Sequence, residues 1–187
     1  ESKSNDLNII QFTPSSGMAT RMFKFLYFFK KSFEPDKQTL NAYLNRNKTY
    51  KLREFLAGLE KFAFFKEIDK KVLKKGVERV PINQYRIEFI DQVIQQFGDL
   101  PKGLVPFHRY KKRSVTPYEE QIRESLLFAQ SNQTVQHHFT ISPQKERMVK
   151  KQLASIASKI YTENKVSIEL TYSFQESETD TIAVDLK

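Results

Sequence analysis

Hydrophobic positions at the start of the chain predict a strand, a loop and a helix. Residues 9–12 are mostly apolar with strand character, residues 14–19 are mostly small, and residues 22–33 carry apolar side chains at helical spacing. A strand, a loop of small residues and a helix together present backbone N–H groups and the positive end of a helix dipole to a phosphate. We therefore predict that the loop between this strand and this helix binds phosphate. The Arg21 guanidinium would donate two parallel hydrogen bonds to phosphate oxygens.

Helical spacing then continues almost without interruption to residue 98. Helices are predicted over residues 35–44, 51–65, 67–75 and 83–97. Phenylalanine, with 16 copies in the chain, supplies much of their apolar face. We predict that residues 34–98 form a helical insertion, packed by aromatic residues, within a single domain spanning residues 1–187.

Strands and helices alternate after residue 98. Thr116, Pro117 and Glu119 form a helix start, with threonine as the cap, proline at the first position and glutamate closing a capping box. Strands are predicted at residues 134–141 and 166–174, separated by a long helix that starts at Ser142-Pro143, and residues 181–184 are a last apolar run. This β-α-β order is typical of an α/β fold with a mostly parallel sheet.

Composition narrows the classes of function. The chain has no cysteine, which excludes disulfides, thiolate metal sites and a cysteine nucleophile. No apolar run reaches the ~20 residues of a membrane span, and the first residues carry no signal-peptide core, so we expect a cytoplasmic protein without a membrane partner. The net charge of +9 favours anionic partners, but no strand alternates aromatic and basic residues as nucleic-acid binders do.

Several other residue patterns are weaker candidates for chemistry. No Gly-x-Ser-x-Gly, His-x-x-x-His or Walker-type sequence occurs, which argues against hydrolase, zinc-enzyme and P-loop interpretations. His137 and His138 are adjacent on a strand, so their side chains point to opposite faces and we predict structural roles. The basic run at residues 108–113 is either a solvated hairpin or a guide for an anionic substrate. Asp180 and Asp185 are either solvated acids or ligands of Mg²⁺ held through phosphates.

The loop after the first strand resembles the signature loop of sugar-nucleotide pyrophosphorylases, which ordinarily reads small-small-Gly-x-Gly-Thr-Arg-Met or Leu. Gly17, Thr20 and Arg21 match this pattern, and Ala19 replaces the second glycine. In that family the loop wraps the nucleotide phosphates and the arginine neutralises their charge. The resemblance implies that the nucleotide-binding residues of this loop are Ser15, Ser16, Gly17, Met18, Ala19 and Thr20.

Two later segments extend this resemblance. Residues 101–106 look like the family's Pro-Lys-x-Leu-x-Pro, in which the lysine, here Lys102, reaches a phosphate oxygen. Gln175 is similar to the family's base-reading glutamine, and Thr181 belongs to a Gly-Thr-Ala-type segment in which Asp180 stands where glycine is usual. The resemblance implies that Gln175 and Thr181 also contact the nucleotide.

Taken whole, the chain resembles the domain-of-unknown-function family 4301 of bacteria. Its members pair a Thr-Pro-Ala-Ser-Gly-type loop with Pro-Lys-Gly-Leu, a Phe-Thr-Ile-Ser-Pro strand end at residues 139–143, and Phe-Gln-x-x-x-x-Asp-Thr-Ile-Ala-Val. Those proteins continue beyond this point, so we expect an N-terminal portion of a longer chain. The fold implied is an α/β, three-layer, Rossmann-like nucleotide-diphospho-sugar transferase type with a mostly parallel sheet and a helical insertion.

The activity implied is that of a nucleotidyltransferase that joins a sugar 1-phosphate to a nucleoside triphosphate and releases pyrophosphate. Arg21 and Lys102 would be the catalytic residues, converging on one anion from the two ends of the helical segment, and Mg²⁺ would bridge the phosphates through ligands that the motifs do not identify. Two alternatives stay open: a glycosyltransferase on the same fold, and a non-catalytic nucleotide- or anion-binding module.

Overall fold

The computed structural model describes residues 10–46, 49–74, 81–111, 113–128 and 134–176, which fall into two compact units. The first unit comprises the described residues up to Gly17, Pro101–Leu104, and those from Pro117 onward. The second unit comprises Met18–Leu100 and Val105–Thr116.

The regular elements follow in chain order. They are β1 (Ile10–Pro14), α1 (Lys24–Ser32), α2 (Leu40–Leu44), α3 (Tyr50–Ala57), α4 (Phe65–Lys74), α5 (Ile82–Phe97), β2 (His108–Arg109), β3 (Ser114–Val115), α6 (Pro117–Ser125), β4 (Thr134–Ile141), α7 (Glu146–Asn164) and β5 (Ser167–Phe174). Short 3-10 turns occupy Ala19–Arg21, Leu59–Lys61, Lys102–Leu104, Leu126–Phe128 and Pro143–Lys145.

The first unit is built on a three-stranded sheet in the order β1-β4-β5. Both strand pairs are parallel, with Thr13 opposite Phe139 and His137 opposite Leu170. The prediction of a mixed α/β fold with a mostly parallel sheet is therefore confirmed for the described residues. The connection from β4 to β5 runs through α7, as a parallel pair requires.

The core of this unit lies between α6, α7 and one face of the sheet. Alternate residues of β4 point into it, because successive side chains of a strand face opposite sides. Its buried members are Tyr118, Ile122, Phe139, Ile141, Val149, Leu153 and Ile160. On the other face Phe12 is 62% exposed and stacks on His138 at 5.4 Å between ring centroids. The described residues of this unit thus form two layers, and the three-layer type stays a prediction.

The second unit is mainly helical and has a core rich in phenylalanine. Rings at Phe23, Phe29, Phe55, Phe64, Phe89 and Phe97 are all buried in it. Two pairs among them are tilted, Phe55 with Phe89 at 6.4 Å and Phe64 with Phe97 at 5.2 Å between centroids. The antiparallel hairpin of β2 and β3 completes the unit.

Two helix boundaries differ from the sequence prediction. The helix predicted over residues 51–65 is shorter, because α3 ends at Ala57, and α4, which begins at Phe65, corresponds to the next predicted helix. Gly58, a poor helix former, stands at the break, and its N–H closes α3 by donating to the carbonyls of Glu54 and Phe55. The helix predicted over residues 35–44 is also shorter, since the Thr39 hydroxyl caps it by accepting from the Ala42 N–H at 3.2 Å.

Three further predictions concern the helical insertion, the last apolar run and membrane-spanning segments. The predicted insertion, residues 34–98, lies within the second unit, and its being an insertion into one domain stays a prediction. The apolar run at residues 181–184 lies outside the described residues. In the described part of the chain, no helix is both long and apolar enough to cross a membrane.

Candidate phosphate-binding site

The three parallel strands of the first unit end at one edge of the sheet. Pro14, at the end of β1, is opposite Thr140, and Ile141, at the end of β4, is opposite Phe174. In open α/β sheets, ligands bind outside the carboxyl ends of the strands. The residues that directly follow β1 and β5 in the chain therefore lie at the edge where a ligand is expected.

Ser15 fixes the start of the loop that follows β1. Its N–H and its hydroxyl both donate to the carbonyl of Thr140 on β4, at 2.9 and 3.0 Å. Its own carbonyl accepts a hydrogen bond from the Tyr118 hydroxyl at 3.2 Å. Burial raises the pKa of Tyr118, so this hydroxyl stays a donor. Because these bonds use both donors of Ser15, its role is to position the loop.

The structure brings Lys102 and Gly17 together within the first unit. The backbone N–H of Lys102 donates to the Gly17 carbonyl at 2.9 Å. A methyl group placed on Gly17 would lie 3.7 Å from Cδ of Lys102, so the lysine stem runs beside an exposed glycine. Lys102 is itself exposed, and its cationic group is thus carried on the same edge as the loop.

Gly103 allows the turn that carries Lys102 to lie against the ring of Tyr118. A Cβ atom at Gly103 would stand 2.2 Å from Cε1 of Tyr118, a distance that real atoms do not tolerate. Only glycine lets the turn Lys102–Leu104 approach the buried ring of Tyr118, whose hydroxyl in turn holds Ser15. Sequence reasoning missed the roles of Gly103 and Tyr118. The glycine directly after Lys102 was the signal that could have indicated a close approach of the backbone to another group.

The next residues of the predicted loop belong to the second unit. Ala19 is fully buried in the core of that unit, and its N–H donates to the Leu100 carbonyl at 2.8 Å. The methyl group of Ala19 thus fills core space. Thr20 and Arg21 are exposed in the turn Ala19–Arg21, and Met18 precedes them. The predicted roles of these residues stay predictions.

The remaining predicted contacts are only partly within the described chain. Gln175 directly follows β5, and its N–H donates to the Ile141 carbonyl at 3.1 Å, which places it at the same sheet edge as Ser15. Ser16 is partly buried between Ser15 and Gly17. Thr181, like Asp180 and Asp185, lies outside the described residues.

The two strand histidines point to opposite faces of the sheet, as predicted. His137 is fully buried, with Nε2 at 2.8 Å from the Thr13 hydroxyl and its ring stacked on Phe139. Burial, with a smaller repulsion from His138, lowers the pKa of His137 to about 4, so the ring is neutral at physiological pH. His138, on the other face, lies within hydrogen-bonding distance of the hydroxyls of Thr171 and Ser173 on β5.

The described residues offer no preformed protein cage for the Mg²⁺ that the resemblance implies. Among them, no three His, Cys, Asp or Glu side chains gather as a metal site. Magnesium is often held by one or two carboxylates together with substrate phosphates, so a nucleotide could bring the ion with it. We therefore assign no step to a protein-held metal.

The second unit holds a separate apolar cavity of about 470 Å³. Aromatic and sulfur-containing side chains form most of its wall, namely Met22, Phe23, Phe25, Tyr50, Phe55, Phe62, Phe64 and Phe107. Lys51 and Glu54 are the charged side chains in its lining. The cavity is thus an apolar space with one pair of opposite charges, distinct in chemistry from the loop at Gly17.

The fold and the loop define a mixed α/β protein whose parallel sheet carries a candidate phosphate-binding edge. The sequence matches the domain of unknown function family DUF4301 over residues 1–187, and the chain belongs to this family. None of the curated proteins compared with the chain matches it, and no solved structure does.

Proposed function

We propose that the sheet edge at Gly17 and Lys102 binds the phosphates of a nucleotide, and that the protein is a nucleotidyltransferase acting on a sugar 1-phosphate. One observation carries the proposal: the Lys102 N–H is hydrogen-bonded to the Gly17 carbonyl at 2.9 Å, beyond the carboxyl end of a parallel strand. The two motif segments that resemble the pyrophosphorylases are therefore adjacent, despite the helical segment between them in sequence.

The chemistry of this reaction needs mainly position and charge. An oxygen of the sugar 1-phosphate attacks the α-phosphorus of the nucleoside triphosphate, a new P–O bond forms, and the bond to the β-phosphate breaks to release pyrophosphate. Such transfers need little covalent help from the protein. The Lys102 ammonium would offset the charge on the phosphate oxygens, and Gly17, having no side chain, would let a phosphate approach the backbone.

The other residues of this edge have supporting roles in the proposal. Ser15 and Tyr118 hold the loop in place through the hydrogen bonds described above. Gln175, after β5, would read the base with its amide group, which can both donate and accept hydrogen bonds. Any Mg²⁺ would enter bound to the triphosphate.

One observation favours a second candidate, a non-catalytic nucleotide- or anion-binding module. The N–H of Ala19 donates to the Leu100 carbonyl, so an amide of the resembled loop is already used inside the protein. A loop with fewer available amides still attracts a phosphate through lysine, but it stabilises a transition state less.

The test is nucleotide affinity measured by calorimetry on the full chain, with a panel of nucleoside triphosphates and nucleotide sugars, each with and without Mg²⁺. Lys102→Ala should weaken binding of the preferred nucleotide about tenfold or more, because a hydrogen bond to a charged group contributes about 1.5–3 kcal/mol. Lys151→Ala removes the same charge from an exposed position of α7 and should leave the affinity unchanged.

Three outcomes have defined meanings. Equal affinities for the Lys102→Ala and Lys151→Ala variants, or no nucleotide binding at all, would show the proposal to be wrong. Binding that depends on Lys102, together with release of pyrophosphate in the presence of sugar 1-phosphates, would support the enzyme. Binding of nucleotide without any turnover across the panel would support the binding module. Arg21→Ala in the same assay tests the predicted role of that residue.

A further inference from the structure

A cavity of about 290 Å³ lies in the second unit, beside the β2–β3 hairpin. Four of its lining side chains are cationic: Lys66, Arg109, Lys111 and Arg113. We propose that this cavity is a binding site for a phosphate group. The inference is independent of the proposed function, because all of its residues belong to the second unit and none is a residue of the Gly17–Lys102 edge.

The hairpin that carries three of these cations is anchored at both of its strands. On β2, the Arg109 guanidinium donates to the Glu60 carbonyl at 2.7 Å, and on β3 the Ser114 hydroxyl donates to the Ala63 carbonyl at 2.5 Å. The Tyr110 N–H closes the hairpin by donating to the Arg113 carbonyl at 2.8 Å. The hairpin is thereby held next to Lys66, near the start of α4, so the cationic groups are brought together before any ligand binds.

The lining of the cavity contains four cationic side chains and one carboxylate. Glu67 is the carboxylate in the lining, and it already accepts a hydrogen bond from the Gln96 amide and lies 3.7 Å from the Lys71 ammonium. In the part of the chain that the structure describes, no carboxylate pairs with Lys66 or Lys111. Like charges around a shared cavity repel one another, and a bound anion would replace that repulsion by attraction.

The types of cation indicate an oxyanion with several acceptor oxygens. A guanidinium has five N–H donors in a fixed fork, so the bond from Arg109 to the Glu60 carbonyl leaves others for a ligand. Lysine adds compact charges that do not require one geometry. Phosphate, whose oxygens accept from both kinds of donor, suits this mixture.

The grouping of the cations around one cavity favours a compact ligand over a polymer. The cations come from two parts of the chain, Lys66 on α4 and the hairpin residues Arg109, Lys111 and Arg113, and they line one cavity. A nucleic-acid surface instead spreads its cations along a stripe that follows a backbone. The ligand class is therefore a free phosphate, a pyrophosphate or a phosphate ester.

The experiment is calorimetric titration of the full chain with inorganic phosphate, pyrophosphate and a nucleoside triphosphate, and with random-sequence duplex DNA as the competing ligand. The variant carries Lys66→Ala and Lys111→Ala, two exposed positions. The matched control carries Lys24→Ala and Lys31→Ala, which remove the same charge from exposed positions of α1. The first variant should weaken binding of phosphate or pyrophosphate at least tenfold, and the control variant less than twofold.

The position of the site is checked by amide chemical shifts during the pyrophosphate titration, which should change at Arg109 and Tyr110 and stay unchanged in the Lys66→Ala, Lys111→Ala protein. Lys102→Ala should leave this response intact, which separates the present inference from the proposed function. Equal phosphate affinity in the two double variants, or no phosphate binding, would overturn the inference. So would binding of DNA that is stronger than binding of pyrophosphate and falls steeply with salt.

Discussion

The backbone N–H of Lys102 donates a hydrogen bond to the backbone carbonyl of Gly17 at 2.9 Å. This bond joins the loop after β1 to the turn that carries Lys102, and it involves main-chain atoms only. Replacing the Lys102 side chain therefore removes its charge while the bond that shapes the loop is kept. For this reason Lys102→Ala tests how much the lysine charge alone contributes to binding at the proposed phosphate site.

The first prediction concerns Gly103, where the turn meets the Tyr118 ring. In Gly103→Ala, the added Cβ would stand 2.2 Å from Cε1 and 2.3 Å from Cζ of that ring, so the turn or the ring must move. We expect the free energy of unfolding to fall by about 1–3 kcal/mol, the usual cost of overpacking a core. Urea unfolding followed by circular dichroism measures the change.

Gly17→Ala is the matched control for this experiment. Its Cβ would meet only Cδ of Lys102, at 3.7 Å, which is ordinary van der Waals contact with the stem of a flexible side chain. We expect a change within about 0.5 kcal/mol, as for most substitutions away from the core. Equal destabilisation by the two variants would mean that the close approach at Gly103 is not what makes glycine necessary there.

The second prediction concerns His137 and acid stability. Its pKa is lowered to about 4 in the folded protein, against an ordinary value of 6.5 that the unfolded chain retains. The unfolded chain therefore binds more protons between pH 4 and pH 6.5, and the free energy of unfolding falls as the pH drops through this range. Between pH 7.5 and pH 5, this residue should account for a loss of about 2 kcal/mol.

The comparison with His137→Gln isolates this effect, because glutamine does not titrate. Any cost of the substitution itself is present at both pH values and cancels in the difference. The variant should lose about 2 kcal/mol less than the natural sequence between pH 7.5 and pH 5 in urea unfolding. An NMR titration in which the ring of His137 changes charge near pH 6.5 would contradict the prediction.

The third prediction compares two neighbouring phenylalanines of α1. Phe29 is 3% exposed and contacts the rings of Phe33 and Tyr43, whereas Phe28 is 65% exposed. Phe29→Ala should reduce the free energy of unfolding by about 3–5 kcal/mol, because it removes buried contacts and leaves a cavity.

Phe28→Ala makes the same chemical change one position away and should alter stability by no more than about 0.5 kcal/mol. Thermal unfolding of both variants, with a probe in the second unit such as amide exchange in α1, gives the comparison. A large loss for Phe28→Ala would show that its ring is covered in solution.

The local sequence pattern was enough to predict most of the elements. The strand predicted at residues 134–141 is β4, and the β-α-β order predicted the parallel pairing of β4 with β5, which the structure confirms. The break at Gly58 was not predicted, since the apolar spacing continues on both sides of it. Periodicity shows which face is buried, but it does not show where a helix is interrupted for packing.

The candidate site, like the fold, was predicted only in part from the sequence. The motifs that contain Gly17 and Lys102 led to the prediction of a shared ligand, which stays a prediction, and their backbones are hydrogen-bonded in the structure. Neither motif indicated that Tyr118 supports Ser15 and requires glycine at position 103. The cavity between Lys66 and the hairpin at Arg109 was also missed, because the sequence shows each basic residue only beside its chain neighbours.

By itself, the sequence determined most of the secondary elements, the basic character of the protein and its family, because each depends on residue types and on spacing within short stretches. Only the tertiary structure decided which distant residues became partners: Thr13 with His137, Ser15 with Tyr118, and Ser114 with the carbonyl of Ala63. Partners so far apart in the chain are selected by how whole elements pack, since their buried polar groups must find donors or acceptors and their side chains must fit without overlap.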